Sequence, residues 1–438
     1  MNDNRVSSNR PAGPLPARAG SAAALDEGGV PWLAARIGVP AFLLAGLAAC
    51  SAGVRETRAP PAAVTAVVPG TGVTACFDDG GPIVCPPRGQ PYSGQDGNDP
   101  GPVPRLRDNG DGTVSDLNTG LTWARALAGP LSWRDARSGA ARLRTGGHHD
   151  WRLPSIKELY TLVDFGRGSF AASAATSVPF LDVGPLDFAY AEGARFFDVQ
   201  EWSATRYVAG TMDGDAAVFG VNFADGRIKA YPLDQPGSGG ALPQRMRARY
   251  VRGPAYGVNR LRETGSATVV DGATGLEWQQ EDDGIGRDWA AALAYCVALD
   301  LGGATDWRLP DAKELHTIVD YTRAPAATGE AALPPPLRAS RIEAYYWTST
   351  TLADGPPDDR FGKAAYFAFG RALGWMRLPP GSQKARLLDV HGAGAQRADF
   401  KSGDPARHPL GLGPQGDEVR IRNAVRCVRG GRSALRPD

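Results

Sequence analysis

The sequence predicts an α+β protein built from two tandem copies of one unit, each with two short helices packed on small antiparallel sheets. Three observations carry that expectation. Asp150-Trp151-Arg152-Leu153-Pro154-Ser155-Ile156-Lys157-Glu158-Leu159 returns as Asp306-Trp307-Arg308-Leu309-Pro310-Asp311-Ala312-Lys313-Glu314-Leu315. The match spreads outward: Thr119-Gly120-Leu121-Thr122-Trp123 answers to Thr274-Gly275-Leu276-Glu277-Trp278, Glu201-Trp202-Ser203-Ala204-Thr205 to Tyr346-Trp347-Thr348-Ser349-Thr350, and Arg249-Tyr250-Val251-Arg252-Gly253 to Arg426-Cys427-Val428-Arg429-Gly430. Gly (56) and Pro (36) are abundant among the 438 residues, which favours short strands and loops over a helical bundle. With 42% hydrophobic and 22% charged residues the chain has ordinary globular composition, and its net charge of +1 gives no global pull toward nucleic acid.

Residues 1–50 read as a targeting segment. Arg36 precedes an apolar run, Ile37 to Ala49, too short to span a bilayer and right for a signal h-region. The run ends Leu47-Ala48-Ala49-Cys50-Ser51, which resembles a bacterial lipobox; an ordinary secretory signal with an incidental cysteine is the competing reading. Acylation at Cys50 would anchor the protein to a membrane without spanning it. The absence of Asp after Cys50 favours the outer membrane or cell surface, and residues 51–75 read as a semi-extended tether.

Export places the other four cysteines in an oxidising compartment, where four allow three pairings. Cys76 and Cys85 bracket the turn Asp78-Asp79-Gly80-Gly81-Pro82 within a lead-in at 76–104, and most simply staple it. Cys296 and Cys427 fall on Ala140 and Tyr250 of the first copy, so one copy has both and the other neither. A bridge explains that joint presence. A catalytic dithiol is the rival, without a Cys-x-x-Cys or an adjacent base to support it.

The first copy is expected over 105–253. Asn109-Gly110-Asp111-Gly112 carries tight-hairpin chemistry; a calcium loop is the alternative, but Arg107 stands where a carboxylate would begin it and no Glu closes it. A helix follows over Ser132–Leu143, matched by Asp288–Leu299. The shared motif starts a second helix, with Ser155 or Asp311 at the N-cap and Glu158 or Glu314 three residues on. Short strands are expected over 217–223 and 364–369, each followed by a turn, and each copy closes on a basic strand. A linker at 254–260 precedes the second copy at 261–431, which holds a loop insertion at about 376–420 with His391, Asp399, Asp404 and His408; residues 432–438 form a tail. Trp123, Trp151, Trp202, Trp278, Trp307 and Trp347 occupy matched positions and are expected in the core.

Taken together, Gly-Thr-Val-x-Asp, Thr-Gly-Leu-x-Trp, Asp-Trp-Arg-Leu-Pro-x-x-x-Glu-Leu, Trp-[Ser/Thr]-[Ala/Ser]-Thr and Arg-[Tyr/Cys]-Val-Arg-Gly resemble the DUF1566 family, also described as the C-terminal domain of the Legionella collagen-like adhesin. The resemblance implies C-type-lectin-like α+β domains and an association with sulfated glycans.

No His-Glu-x-x-His, Gly-x-Ser-x-Gly or phosphate-cradling loop is present, so a non-catalytic module without cofactor or metal is expected. Arg245, Arg247 and Arg249 alternate, so a strand would set them on one face, with Arg252 following; the second copy offers Arg420, Arg422, Arg426 and Arg429. Guanidinium forks suit sulfate and carboxylate. Solvated edge charges are the plainer reading. The expected function is an exported lipoprotein that binds acidic or sulfated glycans. The rivals are an envelope-structural or protein-interaction lipoprotein without a sugar site, and a diverged enzyme using the insertion around His391.

Overall fold

The two copies begin with the same three-stranded meander and close it with their own last strand. The computed structural model describes residues 67–235, 242–356, 359–378, 381–413 and 416–431. A lead-in hairpin, β1 (Cys76–Phe77) and β2 (Pro82–Ile83), comes first. The first copy then runs β3 (Leu106–Asp108), β4 (Thr113–Asp116), β5 (Thr122–Ala124), β6 (Ala128–Leu131), α1 (Trp133–Ala140), α2 (Ile156–Tyr160), β7 (Glu201–Thr211), β8 (Asp215–Asn222), β9 (Arg227–Pro232), β10 (Met246–Ala248) and β11 (Val251–Arg252). The second copy runs β12 (Leu261–Glu263), β13 (Thr268–Asp271), β14 (Leu276–Gln279), α3 (Trp289–Ala298), α4 (Ala312–Thr317), β15 (Tyr345–Leu352), β16 (Lys363–Ala368), β17 (Leu373–Met376), β18 (Arg386–Asp389), β19 (Gln396–Phe400) and β20 (Val428–Gly430). The architecture is mainly β with a few short helices. Sheets β11-β5-β4-β3 and β20-β14-β13-β12 correspond strand for strand.

The hairpin expected at 109–112 is present: Asp108 Oδ1 accepts from Gly110 N at 2.9 Å and Asp111 Oδ1 from Thr113 N at 3.0 Å, so these carboxylates hold their own backbone. All six matched tryptophans are buried, as expected.

Each position of the repeated motif has a job, performed twice. Asp150 and Asp306 accept from the closing-strand arginines Arg252 and Arg429, at 2.7 and 2.6 Å. Arg152 grips Glu158 in a two-pronged pair at 2.6 and 2.7 Å, and Arg308 grips Glu314 at 2.6 Å twice. Ser155 with Glu158 and Asp311 with Glu314 form complete capping boxes on α2 and α4. The lysines cross between copies: Lys157 Nζ donates to Thr317 O at 2.7 Å, and Lys313 Nζ to Thr161 O at 2.8 Å. Tyr160 and His316, which hold the same motif position, touch ring to ring at 4.6 Å. Equivalent residues therefore meet one another across a local pseudo-two-fold, and the largest apolar cluster draws on both copies, from Val114 and Leu159 to Leu315 and Phe367.

Three expectations need correction. The tether drawn through residue 75 ends sooner: Val73 is buried in the shared core and Thr71 O accepts from Phe165 N at 2.8 Å. The insertion at 376–420 is not loop alone. In the first copy β8 pairs with the next strand, β9, whereas in the second β17 turns away to pair with β18, and β19 from inside the insertion pairs with β16 instead. Nor are the sheets wholly antiparallel, since β10 runs parallel to β7.

The lead-in is anchored on the second copy and also touches the first, where Asn118 Nδ2 donates to Val103 O at 3.2 Å. Arg88 donates to Val297 O and Trp307 O at 2.8 and 3.1 Å, and Tyr92 lies 6.3 Å from Trp289, ring to ring. Asp96, buried, accepts from Thr71 and Thr350 at 2.7 Å each and from Ser349.

Candidate functional site

α1 starts as its sequence requires, with Ser132 Oγ accepting from Asp135 N to cap the first turn. Its apolar side, Ala136 and Ala140, packs inward; Arg134, Arg137 and Ser138 face out. Trp133 is half-buried and anchored by its indole N–H, which donates to Ser203 O at 2.9 Å. Arg137 from α1 and Arg206 from β7 both lie over its ring, 4.8 and 5.5 Å from the centroid. Cation–π attraction positions both heads without using their N–H donors. Among the described residues, Arg134, Arg137 and Arg206 make no ion pair and no side-chain hydrogen bond. They line an open groove that ends at Leu233, Asp234 and Pro243.

The same face of the second copy lacks these arginines and is covered. Ala290, Leu293 and Thr351 stand where the first copy has the three arginines. Trp289 is fully buried, with Tyr92 of the lead-in on one side and Lys401 Nζ 4.1 Å from its ring. Gly94 approaches so closely that a Cβ there would stand 2.7 Å from Val297.

The arginines expected to form one exposed stripe are dispersed. Arg245 is exposed and Arg247 half-buried. Arg249 is fully buried, paired with Glu201 at 3.0 Å and donating to Asp187 O at 2.8 Å, so it is a structural residue and not a ligand contact. The reason is topological: β10 lies between β6 and β7, and the expected solvated edge strand is an interior one. Arg252 is engaged with Asp150, Arg420 with Glu418 at 2.7 Å, and Arg429 with Asp306 and Glu277 at 2.6 and 2.7 Å. Arg426 repeats the burial of Arg249, donating to Gln279 O at 2.6 Å.

The sulfurs pair as anticipated, Cys76 with Cys85 and Cys296 with Cys427. In the first copy Tyr250 replaces the second bridge. Its hydroxyl donates to Ala136 O at 3.0 Å, and Gly139 makes room, since a Cβ there would stand 2.5 Å from that hydroxyl. Cys50 lies outside the described residues. Within the insertion, His391 is fully buried and joined to Asp417 at 2.7 Å, with burial and the Arg397 charge pushing its pKa down to about 3. Asp399 accepts from Ile421 N at 2.7 Å, Asp404 from Ala406 N at 3.0 Å, and His408 stacks on Phe400 at 4.7 Å. Those four each serve a separate local contact and form no joint constellation.

What these elements describe is a duplicated, mainly β module whose two copies share a core and differ on one face. The family model of the Lcl C-terminal domain, that of the Legionella collagen-like protein, matches residues 112–241 and 267–378, more than half of the chain, and the protein belongs to that family. Comparison with curated proteins and with solved structures returned no match. No helix among the described residues is long and apolar enough to cross a membrane.

Proposed function

We propose that the protein is an exported, adhesin-like lipoprotein of the cell surface, non-catalytic, which binds acidic or sulfated polysaccharide on the open face of its first repeat. Both repeats are taken as variants of the C-type-lectin-like unit. One observation carries the reading: among the described residues Arg134, Arg137 and Arg206 have no carboxylate partner and line the groove at Trp133, with the last two over its ring, while the second copy has Ala290, Leu293 and Thr351 there and covers the same face with its lead-in. Guanidinium forks match sulfate and carboxylate oxygens, and a row of exposed cations favours a polymer carrying repeated charge. The groove is open at the surface, so the attraction is screened by salt.

Retention of the purified protein on an immobilised sulfated polysaccharide tests this. Binding should be released by added NaCl, indifferent to chelator, and weakened at least tenfold, about 1.4 kcal/mol, by Arg134→Ala/Arg137→Ala/Arg206→Ala with thermal stability unchanged. Equal retention on a neutral polysaccharide, or by the triple variant, would overturn it. The anchor has its own check: Cys50→Ser should move the protein from the membrane to the soluble fraction.

A further inference from the structure

A cavity of about 330 Å³ lies between the copies, lined by β9 from the first and by Asp354, Lys363, Arg397 and Asp417 from the second. That volume falls in the range of small-ligand pockets, roughly 300–1,000 Å³. One wall is aromatic: Phe170, Phe196 and Phe197 contact one another with ring centroids 5.5 to 5.9 Å apart. Strand alternation sets Arg227, Lys229 and Tyr231 of β9 on the cavity side while Ile228 and Ala230 enter the core.

The charges around the cavity are paired with one exception. Asp354 receives Arg227 and also Lys363, the latter at 3.2 Å; Asp417 receives Arg397 at 2.7 Å; Asp225 stands 3.6 Å from Arg227. Lys229 is left over. It is only 7% exposed, and among the described residues its ammonium has no ion pair and no hydrogen bond, only the Tyr231 ring at 5.0 Å. Four lining cations thus stand against three lining aspartates, with Arg195 and Asp198 pairing off at the rim. Asp225 Oδ1, an acceptor, and Arg227 Nε, a donor, are likewise without a partner among the described residues, though both are closed off from solvent. A buried ammonium without an acceptor is costly, and so are orphaned polar atoms.

We propose that this cavity is a second binding site, separate from the groove at Trp133, for a single sugar-acid residue: a hydroxylated ring bearing one carboxylate or sulfate. The anionic group accepts from Lys229 Nζ, and the phenylalanine wall covers the apolar face of the ring. A free monosaccharide and the end of an acidic chain share that chemistry. Burial, then Arg397, lowers the Lys229 pKa to about 7, while Asp417, Asp225 and Asp198 pull it up. The site is therefore charged and receptive below neutrality and loses its charge above it.

Calorimetric titration of the full-length protein with D-glucuronate, D-glucose and an oligosaccharide ending in glucuronate is the test. Glucuronate should bind one per chain, at least tenfold more tightly than glucose and several-fold more tightly at pH 6 than at pH 8.5. Lys229→Met should lose that preference with no fall in melting temperature, and Arg137→Ala/Arg206→Ala should keep it. Preference for the oligosaccharide over the monosaccharide would assign the source as a chain end; the reverse would assign it as free sugar acid. A readout on the natural chain guards against a misfolded variant: glucuronate, and not glucose, should protect Lys229 from reductive methylation. Equal binding of glucose and glucuronate, wild-type binding by folded Lys229→Met, or no protection of Lys229 would each overturn the proposal.

Discussion

Arg249 and Arg426 hold the same place in the two copies, and both are fully buried with their guanidinium heads satisfied largely by backbone carbonyls. Each also has a buried carboxylate beside it, Glu201 at 3.0 Å from Arg249 and Asp282 at 3.6 Å from Arg426. Removing one member of such a pair strands a charge away from water, so Arg249→Ala or Glu201→Ala should cost about 3–5 kcal/mol, read as a lowered denaturation midpoint. Arg245→Ala, on an exposed side chain, should stay within about 0.5 kcal/mol of wild type. If Arg249→Ala proved as silent as Arg245→Ala, the buried pair would not be what holds β10 against β7. The alternation of Arg245, Arg247 and Arg249 was legible in the sequence; the burial of Arg249 was not. Period two says which residues share a face, but whether that face meets water depends on neighbours, and β10 has one on each side, from β6 and β7. For the groove the missing signal was within reach: aligning the copies sets Arg134, Arg137 and Arg206 against Ala290, Leu293 and Thr351, a concerted loss of charge on one helix and one strand.

At the scale of elements, α1 and α3 are fastened to the closing strands by different chemistry. Cys296 in α3 is bridged to Cys427 across 131 residues of chain, while α1 is held by the Tyr250 hydroxyl. The chain-entropy argument gives the long bridge about 5 kcal/mol and the Cys76–Cys85 staple, spanning 9 residues, about 2.5 kcal/mol. Cys296→Ala/Cys427→Ala should therefore lower the melting temperature more than Cys76→Ala/Cys85→Ala, and reductant should add nothing further once both pairs are gone. The opposite ranking would mean that the staple also holds the lead-in in place on α3. This bridge was readable from the sequence because a disulfide requires two residues, and both were missing together from the first copy. The path of the lead-in was not readable. Several of its anchors are backbone carbonyls, such as Val297 O, which Arg88 reaches 209 residues along the chain, and carbonyls carry no sequence signature.

For the whole molecule, the crossing of Lys157 and Lys313 makes the copies one cooperative body. Lys313 is buried and Lys157 half-buried, each donates to the last turn of the other copy's helix, and the core around Tyr160 and His316 belongs to neither copy alone. Unfolding of the described region should therefore be a single transition, with calorimetric and van't Hoff enthalpies equal; two resolved transitions would show that the repeats are independent. The same lysines set a pH signature. Burial lowers the pKa of each to about 8, against roughly 10.4 in an unfolded chain. Between those values the unfolded chain binds more protons than the folded one, so stability rises with pH across that window and is lost again as pH falls back toward 8. Lys229 and Lys401, lowered to about 7, extend the rise toward neutrality. The buried tyrosines act oppositely, but only above about pH 10, where unfolded tyrosine ionises. The melting temperature should accordingly be higher at pH 9.5 than at pH 7.5. Lys157→Met/Lys313→Met should flatten that slope by removing the two groups that titrate at the junction. A slope unchanged in the double variant would locate the proton uptake elsewhere and leave the crossed lysines as helix caps alone.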